Sequence, residues 1–282
     1  MRARDYARQL LASDRLADKL APPPDGLELD DDEAPLWVAA PSRPSNLAIQ
    51  PGRAGRVPPL TGMRDRHQRA RIVHALANHE LQAAELFAWA LLAFPHAPRP
   101  FRTGLVAILA DEQRHLALYR SRLHAHGVEF GDFPVTGHFW GKLDAMATPL
   151  AFSCAMGLTF ENANLDFAQE YAQAARAVGD DATADVLDQV HADEIRHVRF
   201  AFTQVGRLAP DRSPWQVYCD TVQFPLGPAR ARGLTFDADA RRKAGLDDEF
   251  IAGLEAARAT QASGAPRRPA VPQGAGPPRQ RP

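Results

Sequence analysis

Four segments of this chain repeat apolar residues at helical spacing, and each carries a glutamate in the middle of its apolar stripe. That pairing of features constrains the fold more than any other. Glu80 shares a face with Val73, Leu76, Ala77, Ala84, Phe87 and Leu91, and Glu112 with Leu105, Ile108, Leu109, Leu116, Tyr119 and Leu123. Glu161 lies among Cys154, Leu158, Leu165 and Ala168, and Glu194 among Leu187, Val190, Val198 and Ala201. Burying one unpaired carboxylate costs several kcal/mol even after relaxation, so four together demand compensating cations or protonation. Too few basic side chains share these faces to supply the charge.

The first segment is expected over about residues 64–94, stopped by Pro95, Pro98 and Pro100; the second covers about 101–126 and ends at Gly127. The third opens with Pro149 in its first turn and closes at Gly179, and the fourth, capped by Asp180 or Asp181, reaches Leu208 before Pro210. Short links make each successive pair an antiparallel hairpin. Residues 127–148 are far more than a tight turn needs, and at up to about 3.3 Å per residue they can travel the length of a bundle. The expectation is an all-α fold: a four-helix bundle over 61–210, its two hairpins joined by one long crossover, the connection of ferritin-like bundles. Around it, residues 1–60 are expected as an amphipathic helix (about 5–20) followed by a Pro-rich extended strap, and 211–263 as a helical extension with helices near 215–224 and 247–259. Residues 264–282, nearly all Gly, Pro, Ala, Arg and Gln, are expected as a disordered tail.

Spacing sharpens the chemistry. Glu112 and His115 stand at i, i+3, as do Glu194 and His197, so one helical turn sets each pair side by side. Both pairs belong to the string Asp-Glu-x-Arg-His, at 111–115 and 193–197. Two such strings arise by chance on the order of once in a hundred thousand chains of ordinary composition, so coincidence is a poor explanation. Glu80 precedes Pro95 by about as many residues as Glu112 follows Pro100, and Glu161 and Glu194 flank Gly179 and Asp181 in the same way, so all four fall near one level. The halves read as a repeat that brings Glu80, Glu112, His115, Glu161, Glu194 and His197 to one midpoint, the donor set of a dinuclear metal site. Four carboxylates balance two divalent ions. Oxygen-rich ligands with one imidazole per metal favour iron, with manganese or a mixed Mn/Fe pair as alternatives; structural zinc prefers thiolates or three histidines, and the chain has only Cys154 and Cys219. Glu112, His115, Glu194 and His197 are expected to anchor one metal per half, with Glu80 and Glu161 completing the shell and bridging or shifting as the oxidation state changes. Asp111 and Asp193 lie about 100 degrees off that face, where each can accept the spare ring N–H of the histidine on the opposite hairpin.

Other polar residues read more plainly. Glu85, about 140 degrees around the helix from Glu80, and His79 are expected as solvated or capping groups. His74 and His191 are expected as satisfied core histidines, although His191, one turn before Glu194, could also line a substrate pocket. Cys154 reads as a small core hydrophobe.

At these residues the sequence resembles the ferritin-like superfamily of di-iron carboxylate proteins. Within it, the stretches at 80–86, 111–115 and 193–198 resemble a bacterial family known as the domain of unknown function 455 family, over roughly residues 10–208. The third segment departs from that pattern: Glu161-Asn162-Ala163-Asn164-Leu165-Asp166 stands where Arg and Gly are expected after the glutamate. The doubled string is also similar to that of multicomponent hydrocarbon monooxygenases, but Leu165 stands where they place a threonine, so their proton-delivery route is not implied. Tyr119 occupies the place of the radical tyrosine of class I ribonucleotide reductase small subunits; a bonded core tyrosine is the simpler reading.

The expected function is that of a non-haem di-iron oxidoreductase using O2 to oxidise or hydroxylate a small organic substrate. An oxygenase would need a separate ferredoxin or flavoprotein reductant, since the chain carries neither a Gly-rich nucleotide motif nor a cysteine cluster. The alternatives are a ferroxidase or other iron-handling protein, and a non-catalytic helical module with a relic metal site. The formal net charge of -1 offers nucleic acid no support. With no signal peptide or membrane span expected, the cytoplasm is the expected compartment. Only three of 33 basic residues are lysine, a bias of GC-rich bacterial genomes. A homodimer is one assembly the sequence allows.

Overall fold

The computed structural model describes residues 1–29, 33–51 and 55–257. The expected tail at 264–282 lies outside the described residues, as do residues 258–263 at the end of the expected extension. Helices α1 (Ala3–Ala12) and α2 (Leu16–Leu20) precede α3 (Arg66–Ala93) and α4 (Arg99–Ala125). After the crossover come α5 (Pro149–Phe152), a π-helical segment (Ser153–Glu161) continuous with α6 (Asn162–Arg176), and α7 (Asp181–Leu208). Helices α8 (Pro214–Thr221), α9 (Ala238–Lys243) and α10 (Asp248–Ala256) follow. The chain folds as an all-α, ferritin-like bundle of two long hairpins, α3–α4 and α6–α7, joined by the crossover.

Local signals set the ends. The Asp65 side chain accepts from Gln68 N at the start of α3, Thr148 caps α5 by accepting from Ala151 N, and Asp180 caps α7 by accepting from Thr183 N. Gly127 and Gly179 close α4 and α6 at φ 76 and 73, a conformation that favours glycine.

Three features differ from expectation. The third long helix is not α-helical throughout, because Ser153–Glu161 winds as a π-helix. There Thr159 Oγ1 donates to Cys154 O, five residues back (2.9 Å), and shares a hydrogen bond with Tyr218 Oη (2.9 Å). Gly157 lets this segment press on α7, since a Cβ there would lie 2.1 Å from the Ala201 Cβ. A search for a 3.6-residue period does not see such an insertion. The N-terminal amphipathic stretch breaks into two helices, because Ser13 Oγ donates to Asp18 (2.6 Å) and accepts from Arg15 N (3.1 Å). Helix α9, six residues long, is too short to show a period.

The strap is extended, with 3₁₀ turns at Ser45–Leu47 and Leu60–Arg64, and is tied down by Leu36 N to Leu92 O (3.0 Å), Ser42 N to Leu11 O (2.8 Å) and Trp89 Nε1 to Val38 O (3.0 Å). Two apolar clusters fill the bundle, one around Phe87, Phe94, Phe101 and Phe152, the other around Val73, Leu81, Leu116, Leu123 and Val190. Helix α4 packs on α3 and α7, and α7 packs on α6 and the π-helical segment; α3 and α6 make no comparable contact. The crossover spans that side instead, with Asn78 Nδ2 donating to Thr136 O (3.0 Å) and Phe139 N donating to Gln82 Oε1 (2.9 Å). Among the described residues no helix is long and apolar enough to cross a membrane.

Candidate metal centre

Glu80 projects from mid-α3, Glu112 and His115 from α4, Glu161 from the end of the π-helical segment, and Glu194 and His197 from α7. None of the six is more than 4 % exposed. They converge as two overlapping sets, Glu80, Glu112, His115 and Glu194, and Glu112, Glu161, Glu194 and His197, each able to present donor atoms within 4.8 Å of one another. Glu112 and Glu194 belong to both sets, whereas Glu80 and Glu161 each belong to one. The residues common to both sets lie on α4 and α7.

Both imidazoles turn Nδ1 inward. His115 Nδ1 is 3.4 Å from Glu80 and 3.7 Å from Glu112; His197 Nδ1 is 3.1 Å from both Glu112 and Glu194 and 3.9 Å from Glu161. The outer nitrogens pair across the hairpins: His115 Nε2 lies 3.1 Å from Asp193 and His197 Nε2 lies 3.1 Å from Asp111. As α4 ascends from 111 to 115 its partners on α7 descend from 197 to 193, so the two helices run antiparallel. A carboxylate on each Nε2 accepts the ring proton and leaves the Nδ1 lone pair aimed at the centre. The arginines of the two strings, whose part the sequence did not reveal, close this face. Arg114 donates to Asp111 (2.6 Å) and to Asp193, and Arg196 to Asp193 (2.5 Å) and Asp111 (2.9 Å). Their repetition within the motif was the available signal.

The electrostatics favour cations. Burial and the neighbouring Glu112 charge push Glu80 well above the carboxylate range, and burial with Glu194 and Glu112 does the same to Glu161. Burial opposes charge at Glu112 as well, but contacts with His115 and His197 hold it below the usual range. Against burial, His115 is held well above its ordinary value by Asp193, Glu112 and Glu80, and His197 by Glu194 and Asp111. Without other cations, the pocket takes up protons.

The donor set fits metal ions on a further ground. Both Glu112 carboxylate oxygens, His115 Nδ1 and Glu161 Oε1 are buried without a hydrogen-bond partner. Orphaned polar atoms are costly in a packed core, and here they share one centre. The centre could hold two divalent ions.

Of the remaining residues, Glu85 is corrected. It is fully buried, not solvated, and receives Arg43 (2.6 Å), Lys19 (3.2 Å) and Trp140 Nε1 (2.9 Å), because the strap and crossover cover the flank of α3 that the bundle leaves bare. Burial pulls the Lys19 ammonium below its ordinary value, partly offset by Glu85. His191 is half-buried, 3.1 Å from Gln169 Nε2 and 3.6 Å from Asp237. His74 is buried and accepts from Gly131 N (2.9 Å), and Cys154 lies in the core. Tyr119 is buried, and burial with the Glu80, Glu194 and Glu112 charges raises its phenol well above its ordinary value. Asn164 donates to Glu194 Oε1 (2.9 Å), and Asp166 is gripped by Arg241 through both oxygens (2.7 and 2.9 Å), so these departures in α6 serve the site and the extension.

The profile of one protein family, described as "Protein of unknown function (DUF455)", matches residues 3–252. No curated protein and no solved structure matches the chain.

Proposed function

The chain belongs to the DUF455 family, and from its buried centre we propose that it is a non-haem di-iron oxidoreductase that uses O2 to oxidise or hydroxylate a small organic substrate. The observation that carries this reading is the pair of overlapping Glu/His sets, in which both Glu112 oxygens, His115 Nδ1 and Glu161 Oε1 lack hydrogen-bond partners. Glu80, His115 and the shared Glu112 and Glu194 would hold one ion, and Glu161, His197 and the same shared pair the other. Bound there, two reduced irons would supply electrons for the reduction of O2. The protein's own part is electrostatic and steric. Asp193 and Asp111 hold the imidazoles in one tautomer and orientation. Burial of all six groups excludes bulk water. Hydroxylation consumes O2, two electrons and two protons to give the alcohol and water, so it requires an external ferredoxin or flavoprotein; an oxidase would draw its electrons from the substrate.

The test is metal analysis of protein purified without oxygen, followed by rapid mixing of the Fe(II) form with O2. The reading expects about two ions per chain and an O2-dependent change in absorbance. E112A and H115A should each lower bound metal, and unchanged metal in both would sink the assignment. Elution as a very large cage on gel filtration would favour iron storage instead, and a Mn-dependent signal would replace iron.

A further inference from the structure

The centre is closed on most sides. The Asp/Arg ring seals the α4–α7 face, and apolar clusters fill the bundle on either side of the carboxylate layer. On the side between α3 and the π-helical segment the cover is the crossover rather than another bundle helix. There Phe139 is sandwiched between His79 (ring centroids 5.1 Å) and Phe160 (4.4 Å), both rings stacked at 29°. His79 immediately precedes Glu80 and Phe160 immediately precedes Glu161. All three rings are only partly buried.

Above this stack lies a cation with no acid to meet it. Arg230, at the end of the 3₁₀ turn Pro228–Arg230, is half-buried and donates from Nη2 to His138 Nε2 (3.1 Å). His138 in turn packs edge-on against Phe160, with centroids 5.8 Å apart. Among the described residues Arg230 forms no ion pair, whereas Arg43, Arg69 and Arg241, also shielded, each meet a carboxylate. Burial draws Arg230 below its ordinary value, and it pushes His138 down to about 3, with His79, Arg230 and Lys142 acting in the same direction. A guanidinium has five donors, and one goes to His138. The remaining donors of this half-buried guanidinium are not enclosed in the core, so they are open to an incoming acceptor, and an anion that pairs two of them at once meets the charge as well.

We propose that the substrate carries an anionic group, a carboxylate or a phosphate, received by Arg230 beside His138 and Lys142, with its apolar part lying along the Phe139–Phe160 stack toward Glu80 and Glu161. As a substrate assignment this rests on the oxidoreductase reading above; as an anion site it stands on Arg230 alone. The aromatic wall selects an apolar body, and the guanidinium, able to pair two acceptor oxygens at once, selects the head group.

The probes are benzoate, phenyl phosphate and neutral benzamide, titrated calorimetrically into the full chain in metal-free and anaerobic Fe(II)-loaded forms. The wild type should bind one or both anions; which one distinguishes carboxylate from phosphate. R230Q should bind the preferred anion roughly 10- to 100-fold more weakly, R230K should recover part of the loss, and benzamide should bind no better than the anion binds R230Q. Equal anion binding by wild type and R230Q, equal binding of benzamide and the anions, or no anion binding at all would overturn the assignment. Circular dichroism of both variants checks that they fold; should R230Q not fold, R230K and K142Q carry the same comparison with smaller expected losses. Metal content of the same samples separates the two claims. Two metals without Arg230-dependent binding overturn this assignment alone, whereas Arg230-dependent binding without metal upholds the anion site and overturns the metal chemistry.

Discussion

The two halves of the bundle solve one problem with different materials. Five residues beyond Glu80, Glu85 receives Arg43 from the N-terminal strap; five residues beyond Glu161, Asp166 receives Arg241 from the C-terminal extension. In each half a segment outside the bundle is pinned, by a buried arginine, beside a helix that carries one of the six converging groups. The pins differ in redundancy. Glu85 also holds Lys19 and the Trp140 N–H, whereas among the described residues Asp166 has Arg241 as its one cation, supplemented by Gly233 N and Asp237 N (2.8 Å each). Charge at Glu85 is therefore met twice, by the strap and by α2, while charge at Asp166 is met by one arginine that also bonds Asn162 O and Ala231 O.

The largest effect should expose that difference. R241M strands a fully buried Asp166 and should cost about 3–5 kcal/mol, read from the urea midpoint at constant slope. R43M leaves Glu85 with Lys19 and Trp140 and should cost less, about 1–3 kcal/mol. Equal losses would mean that redundancy at Glu85 counts for nothing.

The halves also differ in helical winding. Four residues before Glu80 stands Leu76 in a regular helix; four before Glu161 stands Gly157 in the π-helical segment. G157A would place a methyl 2.1 Å from the Ala201 Cβ, and overpacking of this kind should cost about 1–3 kcal/mol, seen as a lowered Tm. It should also weaken metal retention, because the segment that must move ends at Glu161. A variant as stable as wild type would show that the close approach is not required.

How much of this is legible in a sequence depends on the range of the physics involved. The convergence of six side chains was legible because i, i+3 pairs and apolar stripes are local properties of a helix, and Pro95, Pro100, Gly179 and Asp181 mark the levels. The partners of Asp111 and Asp193 followed from the same geometry. Glu85 was misread as solvated because its environment is supplied by Lys19 and Arg43, both far away in sequence, the second in a strap with no period. The π-helical winding and the lone guanidinium of Arg230 were illegible for a related reason: both depend on tertiary neighbours, Ala201 and Tyr218 in one case and His138 in the other.

Where the halves are alike, their responses should match. Asp111 and Asp193 make equivalent 3.1 Å contacts to His197 and His115. Although burial opposes it, the His197 and arginine contacts bring Asp111 down to about 2, and His115 with Arg114 holds Asp193 lower still. D111N and D193N should each weaken metal binding by about 10- to 100-fold, measured by competition with a chelator. Loss in one variant only would break the reciprocity that joins α4 to α7.

The smallest effect tests an asymmetry in titration. Six residues before Glu80 the first half carries His74; six before Glu161 the second carries Ala155, which has no charge to gain. Burial pulls His74 down to about 4, against an ordinary value of 6.5, so the folded chain keeps it neutral, accepting from Gly131 N. Between those values the unfolded chain binds more protons than the folded one. The stabilisation from neutral His74 is therefore complete above pH 6.5, and it is lost as the pH falls from there toward 4. Between pH 7 and 5.5 the loss from this one group should be about 1 kcal/mol. Urea unfolding of the metal-free protein at the two pH values, beside H74Q, isolates it: wild type should lose about 1 kcal/mol more than the variant. A larger acid loss in H74Q would reverse the sign and place the weak point of the first half at another residue. An equal loss in both would show that the crossover contact at Gly131 does not depend on the charge of His74.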